Sequence, residues 1–369
     1  MKPILVRDLA LERWYSMDRY ADSLAPRIPG AVVPDAWTMT GPRYLTRAFL
    51  YPRALRAWRH HGDLVHVLDH SYAHCLRSFR GMPSLVTVHD LLPLRLLAED
   101  QRSLRLHLRD RLLRWVLDWL ERADRFIVST AWTGRELERY LHIAPERIHV
   151  VPYGVDDHFR RRPAESVITG RRAAWAKATG RNADLARVIL HVGTCAPRKN
   201  LEAAIAALGM LRQRGADAIL VQIGGQWGPH HQALMAAQGV AAQVVQEHRI
   251  SEEALVSAYH AADVLVMPST FEGFGLPAVE AMAAGLPVVT SGAGGLRDAV
   301  GDAALVTRAT DAASLAEAIG AVLEDPVCRN DMVARGRRRA AQLTWDRTAQ
   351  LTLGVYETLA GARGRGPEA

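Results

Sequence analysis

Short aliphatic runs alternate with longer amphipathic ones along the whole chain. In the first half the apolar runs are ILV at 4–6, LVHVL at 64–68, SLVTV at 84–88, RFIV at 125–128 and IHVVP at 148–152. Between them fall helical patterns, clearest in SLRLHLRDRLLRWVLDWLERA at 103–123 and TGRELERYL at 133–141, with Ser129 or Thr130 placed to cap the second. Strand-length and helix-length segments in alternation predict a parallel sheet covered by helices. The charged, Pro- and Gly-bearing segment at 158–184 interrupts the rhythm and reads as a surface connection or inserted helix. A second series then starts: RVILHVG at 187–193, AILVQIGG at 218–225, VVQ at 244–246, VLVMP at 264–268, LPVVTS at 286–291 and ALV at 304–306.

The expected organisation is α/β with two Rossmann-like domains facing across a cleft, ligand groups lying at strand C-terminal ends. The boundaries expected are 1–165 for the first domain, 166–185 for a connecting or inserted segment and 186–343 for the second domain. A helix over 344–361 crosses back to the first domain, and a tail over 362–369 frays.

A length of 369 residues agrees with two cores. Cys75, Cys195 and Cys328 are widely spaced and form no CxxC pair, which points to a reducing compartment. No uninterrupted apolar stretch approaches the roughly 20 residues of a bilayer span. The expected location is therefore cytoplasmic, with peripheral work at the inner face of the membrane. The net charge of +7 is uneven: residues 1–180 hold 29 basic against 20 acidic side chains, and the remainder 17 against 19. Arginine supplies 43 of the 46 basic residues, so part of this excess reflects genomic composition. Residues 43–59, RYLTRAFLYPRALRAWR, carry five arginines and no acid among aromatic and leucine residues, a pattern suited to an anionic membrane surface or to a helix with one solvated face. Charge alone also admits a nucleic-acid-binding module, but no recognition motif accompanies it, and no specific nucleic-acid partner is expected.

The chemistry concentrates in PSTFEGFGLPAVEAMAAGLPVV, residues 268–289. A strand delivers the chain to a sheet edge, Gly273 and Gly275 allow close backbone approach, and Pro277 suits the first turn of a helix. The amides and positive dipole end of that helix suit a phosphate. Glu280, one turn in, suits ribose hydroxyls, whereas Glu272 lies before the turn, near whatever the phosphate carries. A nucleoside diphosphate joined to a sugar satisfies this layout better than an ordinary glycine turn with two incidental glutamates.

PSTFEGFGLPAVEAMAAGLPVVTSGAGG resembles the signature of retaining glycosyltransferases of family 4, which have the two-domain GT-B fold. The resemblance continues through VGTCAPRKNLEAAIAAL (192–208), ISEEALVSAYHAADVLVMPS (250–269) and VGDAALV (300–306), and more loosely through HVLDHSYAH (66–74), VTVHD (86–90) and VVPYGVD (150–156). It implies that Glu272 faces the transferred sugar, that Glu280 meets the ribose, and that Gly273, Phe274, Gly275, Leu276 and Thr194 line the donor. Arg198 and Lys199 would neutralise charge on the departing diphosphate. His89 would position the sugar. Ser16, Met17, His70, Tyr72 and His74 are the candidates for acceptor or sugar contacts, and His248, Arg249 and Ile250 for the base. Asp69 and Asp90 read as turn or capping residues, and Asn200 as a helix cap.

Two departures stand out. Relatives commonly carry a glycine-rich loop after the first strand, where this chain has Ser16-Met17-Asp18-Arg19, and Thr194 stands where many carry arginine. The resemblance implies retention by front-face attack, with a donor phosphate oxygen helping to deprotonate the acceptor. No DxD element or clustered His/Cys/Asp set marks a metal site, so no metal or other cofactor is expected beyond the nucleotide-sugar substrate. GTCAPRKN resembles bacterial mannosyltransferases acting on GDP-mannose in surface-polysaccharide synthesis, with a glycan or polyprenyl-diphosphate-linked acceptor. A UDP- or dTDP-sugar donor, a sugar-nucleotide epimerase or phosphorylase of the same double fold, and a non-catalytic nucleotide-sugar-binding scaffold are the alternatives.

Overall fold

The computed structural model describes residues 1–12, 15–92, 108–308 and 311–364. The expected helix start at 103–107 and the tail beyond 364 lie outside the described residues. The chain divides into two compact units, Met1–Gly154 with Trp345–Ala369, and Val155–Thr344.

In the first unit β1 (Pro3–Val6), β2 (Leu64–Val67), β3 (Ser84–Val88), β4 (Arg125–Val128) and β5 (Ile148–Val150) form a parallel sheet in that order. Parallel strands are covered on both faces, which is why these runs show little polar alternation. The pleat sends Val65 and Val67 into a core with Phe79, Leu117 and Leu120. His66, pointing the other way, has Nδ1 2.8 Å from Tyr356 Oη and Nε2 2.8 Å from Thr87 Oγ1, and Tyr20 Oη lies 3.1 Å from the same threonine. Tyr356 belongs to the last helix, Trp345–Gly364, so the chain returns in its final element to cover the first sheet. Burial lowers the His66 pKa to about 3, and the imidazole is neutral at physiological pH. Thr130 is the cap of helix Ala131–Leu141, its hydroxyl accepting from the Thr133 amide.

The second unit contains β6 (Arg187–Gly193), β7 (Ala218–Gly224), β8 (Val244–Glu247), β9 (Val264–Met267), β10 (Val288–Thr290) and β11 (Leu305–Val306), in the order β11-β10-β9-β6-β7-β8 and parallel throughout. The chain winds outward from β6 through β7 and β8, then returns to β9 on the other side of β6 and winds outward again. The two adjacent strands β6 and β9 therefore flank a topological switch point, the position beyond whose strand C-terminal ends open α/β sheets place their ligands.

The segment expected to be a surface connection or inserted helix contains helix Glu165–Ala178, fastened to the second unit. Trp175 is buried and its indole donates to Glu247 at 2.5 Å; Arg171 reaches Glu247 and Ser257, and Arg172 reaches Asp263 and the Ala261 carbonyl. The helix is held by these polar anchors rather than by an apolar stripe.

Candidate active site

The loops after β6 and β9 bring together the residues at the switch point of the second unit. After β6 the chain passes Gly193, with φ 149°, and turns through Pro197–Lys199 before helix Leu201–Gln213. After β9 it runs through Pro268–Gly275 into helix Leu276–Ala284. Thr270 donates its amide to the Arg198 carbonyl at 2.8 Å, and Asn200 Nδ2 donates to the Pro268 carbonyl at 3.2 Å. Asn200 thus ties the two loops rather than capping its helix: its backbone is left-handed, with φ 49°, and its side chain makes no cap bond.

Glu272 is buried, 6% exposed, at the centre of this junction. Its Oε1 accepts from Lys199 Nζ at 2.5 Å and from Ser269 Oγ at 2.7 Å, while Arg198 Nη1 stands 3.5 Å from Oε2. Lys199 is buried as well. A buried ammonium and a buried carboxylate require each other, because either charge alone would bear its full desolvation cost. His191, buried on β6 near this lysine, has its pKa lowered to about 3 by burial and then by Lys199, and its Nδ1 makes no hydrogen bond.

The glycine turns have specific uses here. Gly294 has φ 62°, and a Cβ there would stand 2.4 Å from the Glu272 carbonyl oxygen, the same oxygen that accepts from the Gly295 amide at 2.8 Å. The SGAGG turn after β10 therefore clamps the backbone of Glu272. Gly275, with φ 92°, is the left-handed residue before helix Leu276–Ala284, and Pro277 occupies its first turn. Pro277 carries no N–H and the Ala278 amide donates to the Gly275 carbonyl at 2.9 Å, so this helix start presents the positive end of its dipole rather than a row of free amides.

Glu280 lies in helix Leu276–Ala284 and is turned inward. It is 3% exposed, and its Oε2 accepts from Tyr259 Oη at 2.6 Å. Phe274 is buried, Gly273 and Leu276 are half-buried, and Thr194 is exposed just beyond β6. His248 and Arg249 are exposed and Ile250 half-buried after β8, the edge strand, two strands away from β6.

In the first unit the C-terminal ends of β1, β2 and β3 carry a second polar group. His89, following β3, is buried; Nε2 meets the Leu68 carbonyl at 2.8 Å and Nδ1 meets Tyr153 Oη. Both ring nitrogens are thus held within the protein, and burial lowers the pKa. His70 is half-buried, its Nδ1 3.4 Å from Asp69 Oδ1, while Asp69 caps the run His70–Phe79 through the Ser71 amide. Asp90 accepts from the Leu92 amide. Asp8, after β1, is 2% exposed with Oδ2 unpartnered, and its pKa is raised to about 7 by burial, then by Asp69 and Asp18.

Tyr72 and His74, candidates for acceptor or sugar contacts, are core residues. Tyr72 is fully buried, with its hydroxyl on Glu12, and His74 Nε2 lies 2.9 Å from the Arg47 carbonyl. Alternating polar residues along a compact 3-10 run turned inward here, which the loop-like sequence did not disclose. Ser16 is exposed and Met17 half-exposed in the first turn of helix Tyr15–Leu24, so a helix stands where a glycine-rich loop was the comparison. Sequence reasoning also missed Ser269, His191, Tyr259, Tyr153 and Asp8. Of these only Ser269, at a strand end three residues before Glu272, carried a local signal.

Asp156, His158 and Glu252 place one ligand atom each within 4.8 Å of one another, a grouping invisible in sequence because it joins distant segments. His158 Nε2 lies 3.2 Å from Glu252 Oε1, and the set is half-exposed to exposed.

The arrangement at the switch point sets two cations and a helix start around a fixed carboxylate, chemistry suited to an anionic ligand. The family model Glycosyltransferase Family 4 matches residues 14–159, and Glycosyl transferases group 1 matches residues 175–339. A glycogen synthase from Mycobacterium tuberculosis is 30% identical over 347 residues, covering 89% of this chain and 76% of that protein. A D-inositol 3-phosphate glycosyltransferase from Acidothermus cellulolyticus is 35% identical over 251 residues, covering 65% of this chain but 54% of its relative, so the match spans about half of that longer protein. The crystal structure of HepE from Anabaena in complex with UDP-glucose matches the fold with a TM-score of 0.76 at 19% identity, over 98% of this chain and 100% of that one. The chain belongs to glycosyltransferase family 4, the glycosyl transferases group 1, with the GT-B fold of two Rossmann-like domains.

Proposed function

We propose that the protein is a retaining glycosyltransferase that moves a hexose from a nucleoside diphosphate sugar to a glycan or polyprenyl-diphosphate-linked acceptor. The observation that carries this reading is the buried Lys199–Glu272 pair, with Arg198 beside it, at the switch point of the second unit. The donor diphosphate lies at the start of helix Leu276–Ala284, within reach of Arg198 and Lys199. As the bond from sugar to phosphate breaks, negative charge grows on the leaving oxygen, and its attraction to these cations and to the helix dipole grows at that moment. Glu272, fixed by Ser269 and by its clamped backbone, orients the sugar. Glu280, oriented by Tyr259, is the ribose partner. Attack from the face the leaving group departs preserves the anomeric configuration, with a donor phosphate oxygen taking the acceptor proton.

GDP-mannose is the donor favoured by the GTCAPRKN sequence at 193–200, and surface polysaccharide is the product class that goes with it. A UDP-hexose is the second reading, supported by the fold shared with HepE, whose structure holds UDP-glucose. Thermal-shift measurements with GDP, UDP, ADP and dTDP and their hexose conjugates separate the two. Stabilisation by GDP and GDP-mannose alone supports the mannosyl reading, and selective stabilisation by another nucleotide reassigns the donor. A folded protein that responds to none of them, and releases no nucleoside diphosphate with any acceptor, removes the transferase reading.

A further inference from the structure

Residues 43–61 form one continuous helical run on the first unit, and it contains an irregularity with a geometric result. Arg43–Leu45 is α-helical, Thr46–Leu50 is a π-helical turn and Tyr51–Leu55 is again α-helical, followed by a 3-10 turn over Arg56–His61. In the π turn the Tyr51 amide bonds to the Thr46 carbonyl, five residues back. Residues five apart are thereby brought close to one face of the helix, which an uninterrupted α-helix would turn away from each other.

The pairs aligned in this way are Tyr44 with Phe49 and Leu45 with Leu50. All four are exposed: Tyr44 by 73%, Phe49 by 61%, Leu45 by 49% and Leu50 by 38%. Other exposed large apolar side chains of the described residues, such as Val150, Leu185 and Val327, are dispersed along the sequence. The opposite face of the run is anchored: Thr46, Tyr51 and Leu55 are buried, and Tyr51 Oη donates to the Arg7 carbonyl at 2.8 Å. The exposed side chains are therefore displayed on a fixed element. An apolar cluster held outward in this way marks an interaction surface.

Its surroundings are cationic. No acidic residue occurs between Arg43 and His61, and Arg53, Arg56 and Arg59 are exposed along the same run. The Arg77 guanidinium lies 5.9 Å from the Phe49 ring centroid. Arg43 and Arg47 are not part of this free charge, because both pair with the buried carboxylate of Glu12. That division leaves two aromatic and two leucine side chains bordered by arginines that face solvent.

We infer that Tyr44, Leu45, Phe49 and Leu50 form a docking surface for an anionic phospholipid bilayer, the apolar side chains entering the headgroup boundary while Arg53, Arg56 and Arg59 meet lipid phosphates. Tyr44 suits that depth because its apolar ring and polar hydroxyl span the boundary, and Phe49 adds apolar area beside it. The charge selects an anionic surface, and the apolar residues retain the protein once it arrives. Placement there would bring the first unit to a lipid-linked substrate, yet the docking stands on the patch alone and requires no particular donor.

The test uses the full chain and vesicles of phosphatidylcholine with and without phosphatidylglycerol, with co-sedimentation as the readout. Binding is expected only to the anionic vesicles. It should fall by about tenfold or more in the Tyr44→Ser/Phe49→Ser variant, and by a similar factor in Arg53→Gln/Arg56→Gln. These side chains are exposed, so circular dichroism and melting should match the parent, as should nucleotide-induced stabilisation. Absence of binding to either vesicle overturns the inference, as does binding insensitive to both variants. A parent that self-associates in solution, and becomes monomeric in the Tyr44→Ser/Phe49→Ser variant without any vesicle binding, assigns the patch to a second copy of this chain instead. Nucleotide binding is read separately, so a failure of the docking surface and a failure of the transferase reading are told apart.

Discussion

Lys199 Nζ lies 2.5 Å from Glu272 Oε1, joining two residues that sequence reasoning had assigned to different parts of one substrate. The ammonium meant for the diphosphate and the carboxylate meant for the sugar are neighbours, so each sets the charge that the other presents. Lys199→Ala is expected to act in two ways. It removes a cation from the leaving group, lowering kcat/KM by about 100-fold or more, and it leaves a buried carboxylate without its partner, at a cost of about 2–4 kcal/mol. Pairing it with Glu272→Gln should recover most of the stability and none of the activity. Urea denaturation beside steady-state kinetics distinguishes this from a purely structural pair, in which activity would return with stability.

The clamp on Glu272 makes a sharper structural prediction. Gly294→Ala adds a methyl group where φ is 62° and the Glu272 carbonyl oxygen is 2.4 Å from the ideal Cβ position. The SGAGG turn must shift, carrying Glu272 with it. A loss on the order of 2 kcal/mol in stability is expected, with a fall in kcat larger than any change in nucleotide affinity. Gly215→Ala is the control: its φ is 83° but nothing lies within 4 Å of its Cβ, so it tests backbone strain without the clash. Equal catalytic effects of the two substitutions would show that the clamp does not position Glu272.

Much of the fold was legible because buried parallel strands write themselves as compact aliphatic runs, and each of the runs from ILV at 4–6 to ALV at 304–306 became a strand. Glu272, Arg198 and Lys199 were legible for a related reason: strand ends beside glycine turns and helix starts are local in sequence. Lost from view was everything decided by which way a polar side chain turns. Tyr72 and His74 went into the core, Asn200 reached across to Pro268, and Tyr259 met Glu280 from a different helix. Such pairings depend on tertiary placement, to which hydropathy is blind. For helix Glu165–Ala178 the sequence left a surface connection and an inserted helix both open, because its hold on the domain is a tryptophan and two arginines rather than an apolar stripe.

Tyr259 offers a way to separate ribose contact from chemistry. Its hydroxyl lies 2.6 Å from Glu280 Oε2 and both side chains are buried, so the phenol fixes the carboxylate. Tyr259→Phe keeps the ring and removes that bond, and should raise the donor KM by about 3- to 10-fold with kcat little changed, corresponding to about 0.5–1.5 kcal/mol. Glu280→Gln should weaken nucleoside diphosphate binding more than this. Initial-rate kinetics with varied donor, together with titration of the free nucleoside diphosphate, provide the measurement. A drop in kcat at constant KM in both variants would assign Glu280 to the reacting centre.

Asp8 gives the first unit a pH dependence of definite sign. Burial first, then Asp69 and Asp18, raise its pKa to about 7, whereas an unfolded aspartate ionises near 4. Below about 4 the group is protonated in both states, and its contribution to stability is fully present. As pH rises towards 7 the unfolded chain releases the proton freely and the folded one resists, so that contribution is lost. Asp8→Asn keeps the shape without the titration. It should therefore stabilise the protein at pH 8 by about 1–3 kcal/mol and change little near pH 4. Chemical denaturation of parent and variant across that range reads the difference directly. A gap that is constant with pH would mean that Asp8 does not titrate there, and a gap that widens towards acid would mean that its folded-state carboxylate is held by an opposite charge rather than disfavoured by burial.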